Sequence, residues 1–243
     1  MILPLASGTI PPLAPGGRPV NWAVTGRMGG VSSGPFAEGN LADHVGDDPA
    51  SVTVNRERVR ERAGVGDVAY VRAGHGADVA WVDSAQGVPV ADALVTDSTD
   101  LALVALGADC ALIGLAGPGV VGVVHCGWRG LEAGIVPAAI SAMRTRTSGP
   151  IVAILGPGIC ADCFPVGPEC AAAVKSVCGA AVPDPSHVDL RAGVTHLLLA
   201  DGVEVHDHWM CTYESPHLFS HRRDEPTGRH GLLVWQESAR MGS

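Results

Sequence analysis

The 243-residue chain carries a formal net charge of −9 and a pI near 5.5, which argues against a protein that binds a nucleic-acid backbone. Hydrophobic residues make up 47% of it, enough to bury a large core and to exclude an intrinsically disordered protein; aromatics are only 4%, so Val, Leu, Ile and Ala must fill that core. Thirty-two glycines and eighteen prolines favour many short segments joined by tight turns.

Residues 20–25 read as a first strand, followed over 26–40 by a loop rich in Gly, Ser and Pro. Asp48-Pro49 then opens a helix that runs to about Arg62, with Asp suited to the N-cap and Pro to the first turn. Strands are expected over 68–71, 79–82 and 93–96, and again over 101–106, 110–115 and 120–124. The last runs are apolar on both faces, so the sheet should be covered on both sides. Residues 101–124 are long enough to raise the question of a membrane span. Asp109 near the middle and Gly117-Pro118-Gly119 within it argue instead for buried strands joined by a tight turn.

A helix over 131–143 is expected after the turn Gly127-Trp128-Arg129-Gly130. A strand over 151–155 ends at Gly156-Pro157-Gly158. Residues 169–177 and 189–199 read as helices, 203–205 and 232–236 as late strands. Strands outnumber helices and do not alternate regularly with them. The expectation is an α+β fold, a layered sandwich with mixed sheets and helices packed outside. No repeat, linker or low-complexity tract divides the chain, so a single domain with its core over about 20–236 is expected. Seven cysteines, an odd number, argue against a disulfide framework, and the N-terminal stretch lacks the charged start of a secretory signal. A cytoplasmic protein is expected, with no membrane or nucleic-acid partner.

The chemistry concentrates around three side chains. Cys110 sits inside the apolar run and His125 closes it, while His75 lies in Ala73-Gly-His-Gly-Ala-Asp78. Two imidazoles and one thiolate leave a tetrahedral metal one free position, which is what a catalytic zinc needs. The alternative is a buried structural cysteine and a satisfied core histidine. Arginines stand beside flexible or helix-opening backbone: Arg27 in Thr25–Ser32, Arg56 on the first helix, Arg129 after His125, and Arg222 and Arg223 in Ser220-His-Arg-Arg-Asp224, with Arg229 following in Thr227-Gly-Arg229. Several such clusters in an acidic protein point to a site for phosphate or another anion. Cys160-Ala-Asp-Cys163 is a lone CxxC. Cys170 and Cys178 are spaced unlike a zinc ribbon or finger, so neither a second metal site nor a redox role is expected from it.

The stretches GRMGGVSSGPFAEGNLADHVGDD, NRERV, ADALVT, GADC, HCGWRGLEAGI, LGPGIC, VDL, CTY and FSHRRDEPTGRHG occur together and in this order. In this the chain resembles the YfiH-type family, long labelled polyphenol oxidase or laccase-domain proteins and now described as purine nucleoside phosphorylases with adenosine deaminase activity. The likeness runs from about Val20 to Gln236. It implies zinc ligands at His75, Cys110 and His125 and a mixed αβ layered sandwich. It also implies purine nucleosides (inosine, guanosine, adenosine, methylthioadenosine) and phosphate as substrates. Two departures stand out: the family's usual Gln-Val-His-Gly is here Ala73-Gly74-His75-Gly76, and a family-typical Tyr-Glu pair is here Phe164-Pro165.

Phosphorolysis must hold a dianionic nucleophile, for which Arg27, Arg56, Arg129 and Arg222 or Arg223 are candidates, with Asn40 as a further substrate contact. Deamination needs an activated water and a general acid, for which His44 and Asp109 are candidate shuttles. The older oxidase label fits the residues less well. A multicopper centre needs many histidines, largely as His-x-His, and this chain has ten histidines with one such pair, His206-Asp-His208. Copper remains the alternative metal at the three-ligand site. Two other classes compete: a cysteine hydrolase with Cys110 as nucleophile and His125 as base, acting on an amide such as a peptidoglycan precursor, and a non-catalytic nucleotide-binding module.

Overall fold

The computed structural model describes residues 4–237. Its strands form two mixed sheets. The first contains β1 (Pro4–Ile10), β2 (Val20–Thr25), β3 (Asp67–Tyr70), β6 (Leu101–Gly107) and β11 (His230–Gln236), in the order β1-β2-β11-β6-β3. The second contains β4 (Val79–Trp81), β5 (Ala93–Thr96), β7 (Ala111–Gly117), β8 (Val120–Cys126), β9 (Val152–Leu155) and β10 (Glu204–Asp207), in the order β10-β9-β7-β8-β5-β4. The β3–β6, β4–β5 and β9–β10 pairs are parallel and the remaining pairs antiparallel.

The two sheets pack face to face. Val24, Leu103 and Leu232 of the first meet Leu112, Val121 and Ile154 of the second in one buried cluster. The second sheet's other face buries Ile113, Leu115 and Val124 under α3 (Ile135–Arg144), α4 (Pro168–Val177) and α5 (Leu190–Ala200). The first sheet's outer face carries Val68, Val104 and Leu233 against Val59 of α1 (Pro49–Ala63). Helix, sheet, sheet and helices thus stack as an α+β layered sandwich. Alternation within one strand explains the uninterrupted apolar runs: Leu112 faces the other sheet while Ile113 faces the helices. All seven residues of each of β6, β7 and β8 are buried. Among the described residues no helix is long and apolar enough to cross a membrane.

Local signals set the helix ends. The Asp48 carboxylate accepts from the Ala50 and Ser51 amides, Pro49 occupies the first turn, and Gly64 ends α1 at φ 67°. Asp189 caps α5 by accepting from the Ala192 amide at 2.9 Å.

One expectation is corrected. The helix expected over 131–143 is two helices, α2 (Trp128–Ala133) and α3, because Gly134 at φ 85° turns the chain between them. One strand, β1, is not among the expected elements; it pairs antiparallel along the edge of β2.

Candidate metal centre

His75, Cys110 and His125 come from three different places. His75 sits in the loop between β3 and β4, Cys110 directly precedes β7, and His125 is the penultimate residue of β8. The β7–β8 register sets Leu112 opposite His125 and Ala111 opposite Cys126, which brings the thiol beside the imidazole. The three donor atoms lie within 4.8 Å of one another. The two imidazole rings meet edge to face, with centroids 5.0 Å apart at 83°.

The tautomer of His125 follows from its surroundings. Its Nδ1–H donates to the Leu106 carbonyl at 2.8 Å, which leaves Nε2 with the lone pair. That Nε2 is buried and has no hydrogen-bond partner. An unpaired buried acceptor costs roughly 1–3 kcal/mol unless something else binds it. A ring nitrogen tied to a carbonyl with its mate left open is the usual arrangement of a metal-binding histidine. Burial also pushes the His125 imidazole below its ordinary pKa, which favours the neutral form a metal requires. By this test the residues fit a soft or borderline divalent cation, and two imidazoles with one thiolate suit zinc or copper.

Supporting residues hold the triplet. The Asp92 carboxylate accepts from the His75 amide at 2.6 Å and the Gly76 amide at 3.0 Å, and its own carbonyl accepts from the His125 amide at 2.8 Å. One buried residue therefore ties the His75 loop to β8. His75 and Asp109 are the non-glycine residues with positive φ among the described residues, at 61° and 103°. Sparsely populated backbone of this kind persists where the surroundings over-determine it. At Asp109 they do: Oδ1 accepts from the Thr212 hydroxyl and Oδ2 from the Arg222 amide, both at 2.6 Å.

The triplet opens into a cavity of about 540 Å³, the size of a pocket for a small organic ligand. His44, Asp109, Arg129, Arg222 and Arg229 line it together with Trp128 and Phe164. Arg129 stacks on Trp128 at 4.4 Å and Arg222 on Phe164 at 5.1 Å. Burial lowers the Arg229 pKa, partly offset by the neighbouring Cys110 and Asp109.

Four expected substrate contacts are not brought into this cavity. Arg27 donates to the Ala37 carbonyl, pairs with Asp224 at 3.5 Å and stacks on Phe219. Asn40 is fully buried and bonds Ala42, Asp47 and the Arg229 amide. Arg56 donates to the Leu41 carbonyl, lies over the Tyr70 ring and pairs with Asp43. Arg223 spends its guanidinium on Asp224 and on the carbonyls of Thr212, Tyr213, Ser215 and Leu218. Of the paired arginines, Arg222 faces the cavity and Arg223 locks the loop behind it. Asp92 and Thr212 were not singled out in advance, although Asp92 lies within the ADALVT stretch and Thr212 within CTY.

Residues 21–237 match the family described as multi-copper polyphenol oxidoreductase laccase. A purine nucleoside phosphorylase of Streptomyces coelicolor is 43% identical over 231 residues, covering 88% of this chain and 95% of the relative. The crystal structure of a Neisseria meningitidis protein superposes with a TM-score of 0.84 at 34% identity, covering 96% of this chain and 99% of the other. That of the Bacillus licheniformis hypothetical protein YfiH gives 0.83 at 27%, covering 89% and 92%. Matching the family almost end to end and sharing its fold, the chain belongs to the YfiH-type family of laccase-domain proteins.

Proposed function

We propose that the chain is a metal-dependent purine nucleoside phosphorylase, zinc being the metal, with adenosine deamination as a second reaction of the same cavity. The observation that carries this reading is the unpartnered Nε2 of His125 in an arginine-lined cavity, within 4.8 Å of the donor atoms of His75 and Cys110. The relatives named purine nucleoside phosphorylase support it. His75, Cys110 and His125 would hold the cation, which when bound supplies a Lewis-acidic vertex with one open position.

In phosphorolysis an oxygen of inorganic phosphate bonds to C1′ while the bond from C1′ to the purine nitrogen breaks, and the purine leaves with the electron pair and takes up a proton. Arg129 and Arg222, together with Arg229 on the same cavity lining, supply the positive charge that gathers and orients the phosphate. Their stacking on Trp128 and Phe164 fixes the guanidinium planes. His44, at the cavity wall, is the candidate proton donor to the leaving base. Asp109, with both oxygens already accepting, serves to hold Arg222 and Thr212 in place.

The oxidase reading is poorly supported. Among the described residues, the clusters able to bind a metal contain only two histidines, too few for a multicopper centre. A cysteine hydrolase would use the same Nε2 as base, but burial disfavours the imidazolium that such a base must become, and His75 would have no part.

The test is incubation of metal-characterised protein with inosine or adenosine, with and without phosphate, and chromatography of the products. Phosphate-dependent release of hypoxanthine from inosine is expected, and phosphate-independent conversion of adenosine to inosine for the second reaction. Zinc-loaded protein that yields no free base overturns the phosphorylase reading. Replacing His125 by Ala should abolish turnover together with metal binding at the His75–Cys110–His125 centre.

A further inference from the structure

The CxxC without a partner in sequence acquires one in the fold. Cys160 and Cys163 lie at the two ends of a single 3-10 turn, where the Cys163 amide donates to the Cys160 carbonyl at 3.1 Å and sets both thiols on one side. Fifty-one residues away in sequence, Cys211 places its Sγ 3.1 Å from that of Cys160 and accepts the Cys160 N–H at 3.3 Å. Glu214 brings a carboxylate oxygen to 4.0 Å from the Cys163 sulfur. All four donor atoms lie within 4.8 Å of one another. Cys170 and Cys178 take no part; Cys178 is buried beneath α5 with its sulfur 3.8 Å from the Gly193 carbonyl.

We propose that Cys160, Cys163, Cys211 and Glu214 form a second, structural metal site that binds zinc with three thiolates and one carboxylate. Four protein donors complete a tetrahedron and leave no open position, the mark of a structural rather than a catalytic zinc. With zinc–sulfur bonds of about 2.3 Å the sulfur–sulfur edges of such a site are about 3.8 Å; the Cys160 and Cys211 sulfurs stand at 3.1 Å and no donor pair exceeds 4.8 Å, so small side-chain adjustments reach that length. The Cys160 amide aimed at the Cys211 sulfur is a donor that stabilises a thiolate. A disulfide between Cys160 and Cys211 would use two of the four donors and leave Cys163 and Glu214 without a role.

The position gives the site a purpose that holds whichever reaction the cavity performs. Its two loops are already laced together: Gly158 donates to the Met210 carbonyl at 3.2 Å and accepts from Thr212 at 3.0 Å, and Ile159 donates to the Asp109 carbonyl at 2.8 Å. Immediately beyond the CxxC come Phe164, a cavity wall, and Pro165, whose carbonyl accepts from Arg222 at 3.0 Å. An ion joining residues 160–163 to residues 211–214 would fasten the wall on which Arg222 is displayed.

Native mass spectrometry and elemental analysis of reduced, zinc-supplemented protein should find two zinc ions per chain. Cys163→Ser and Cys211→Ser should each lose one and keep the other. His125→Ala should lose the other one, so the two sites fail separately. Cobalt titration of the unmodified protein should show a second equivalent with strong thiolate-to-cobalt absorption, a readout that does not depend on the variants folding. A single zinc in the unmodified protein that Cys163→Ser and Cys211→Ser both retain, two zincs in Cys163→Ser, or a Cys160–Cys211 disulfide in freshly reduced and metal-treated protein would each overturn the proposal.

Discussion

A Cβ at Gly127 would lie 2.9 Å from the Cys110 sulfur and 3.7 Å from the His75 ring, so the residue opposite Cys110 has to be glycine for the thiol to reach its two imidazoles. At φ −83° this glycine needs no unusual backbone; the requirement is space alone. Gly127→Ala is therefore expected to leave the fold intact by circular dichroism while weakening zinc binding at His75, Cys110 and His125 by about tenfold or more in competition with a chelator. Asp92→Ala removes the acceptor that holds the His75 and Gly76 amides, and should cost about 10–100-fold in the same measurement. Unchanged affinity in both would show that these residues do not position the centre. The three donors were legible because cysteine and histidine announce their chemistry. The arginines were legible only in part: Arg129 and Arg222 do line the cavity, but a guanidinium carries the same charge whether it faces a cavity, as Arg222 does, or is consumed by carbonyls, as Arg223 is. That difference is made by tertiary contacts alone. The CxxC shows the same limit: its partners lie fifty-one residues away, and no local spacing points to them.

The buried strands β6, β7 and β8 could be read from composition because each is covered on both faces and so stays apolar throughout. β1 gave no such signal. Its positions up to Thr9 are half-buried and exposed in turn, and Pro, Ala, Ser, Gly and Thr make up all of it but Leu5 and Ile10, so nothing in it separates strand from loop until β2 supplies the pairing. The break between α2 and α3 is the opposite case, a visible glycine inside an otherwise continuous helical pattern. Gly134 adopts φ 85°, and a Cβ there would meet only Pro137 at 3.8 Å, so the cost of a side chain is conformational rather than steric. Gly134→Ala should destabilise the protein by about 1–2 kcal/mol, a fall of about 2–8 °C in Tm. An unchanged Tm would mean that the two short helices can rejoin as one. The break matters because it lets α2 turn Trp128 and Arg129 toward the cavity while α3 covers the second sheet.

The two sheets close on each other beside β11, and this joint carries a buried titratable group. His230 is wholly buried, and neither ring nitrogen has a hydrogen-bond partner. Burial, aided by the neighbouring Arg229 charge, pushes its pKa down to about 3. An unfolded chain takes up this proton near the ordinary imidazole value of about 6.5. Between those two values the unfolded state therefore binds more protons than the native state, and acid favours unfolding. The stability contributed by the neutral ring is complete above about pH 6.5 and drains away as the pH falls toward about 3. His125, lowered by burial as well, acts with the same sign. The carboxylates of Asp43 and Asp224, held below their usual range beside Arg56 and Arg223 respectively, also favour the native state at neutral pH, but their share is lost only at lower pH. Urea unfolding of chelator-treated protein at about pH 7 and about pH 4.5 should show a loss on the order of a few kcal/mol. His230→Leu, which keeps the site apolar and removes the titrating ring, should shrink that loss while leaving the part due to His125. An equal loss in the variant would place the acid sensitivity elsewhere and free β11 from any role in it.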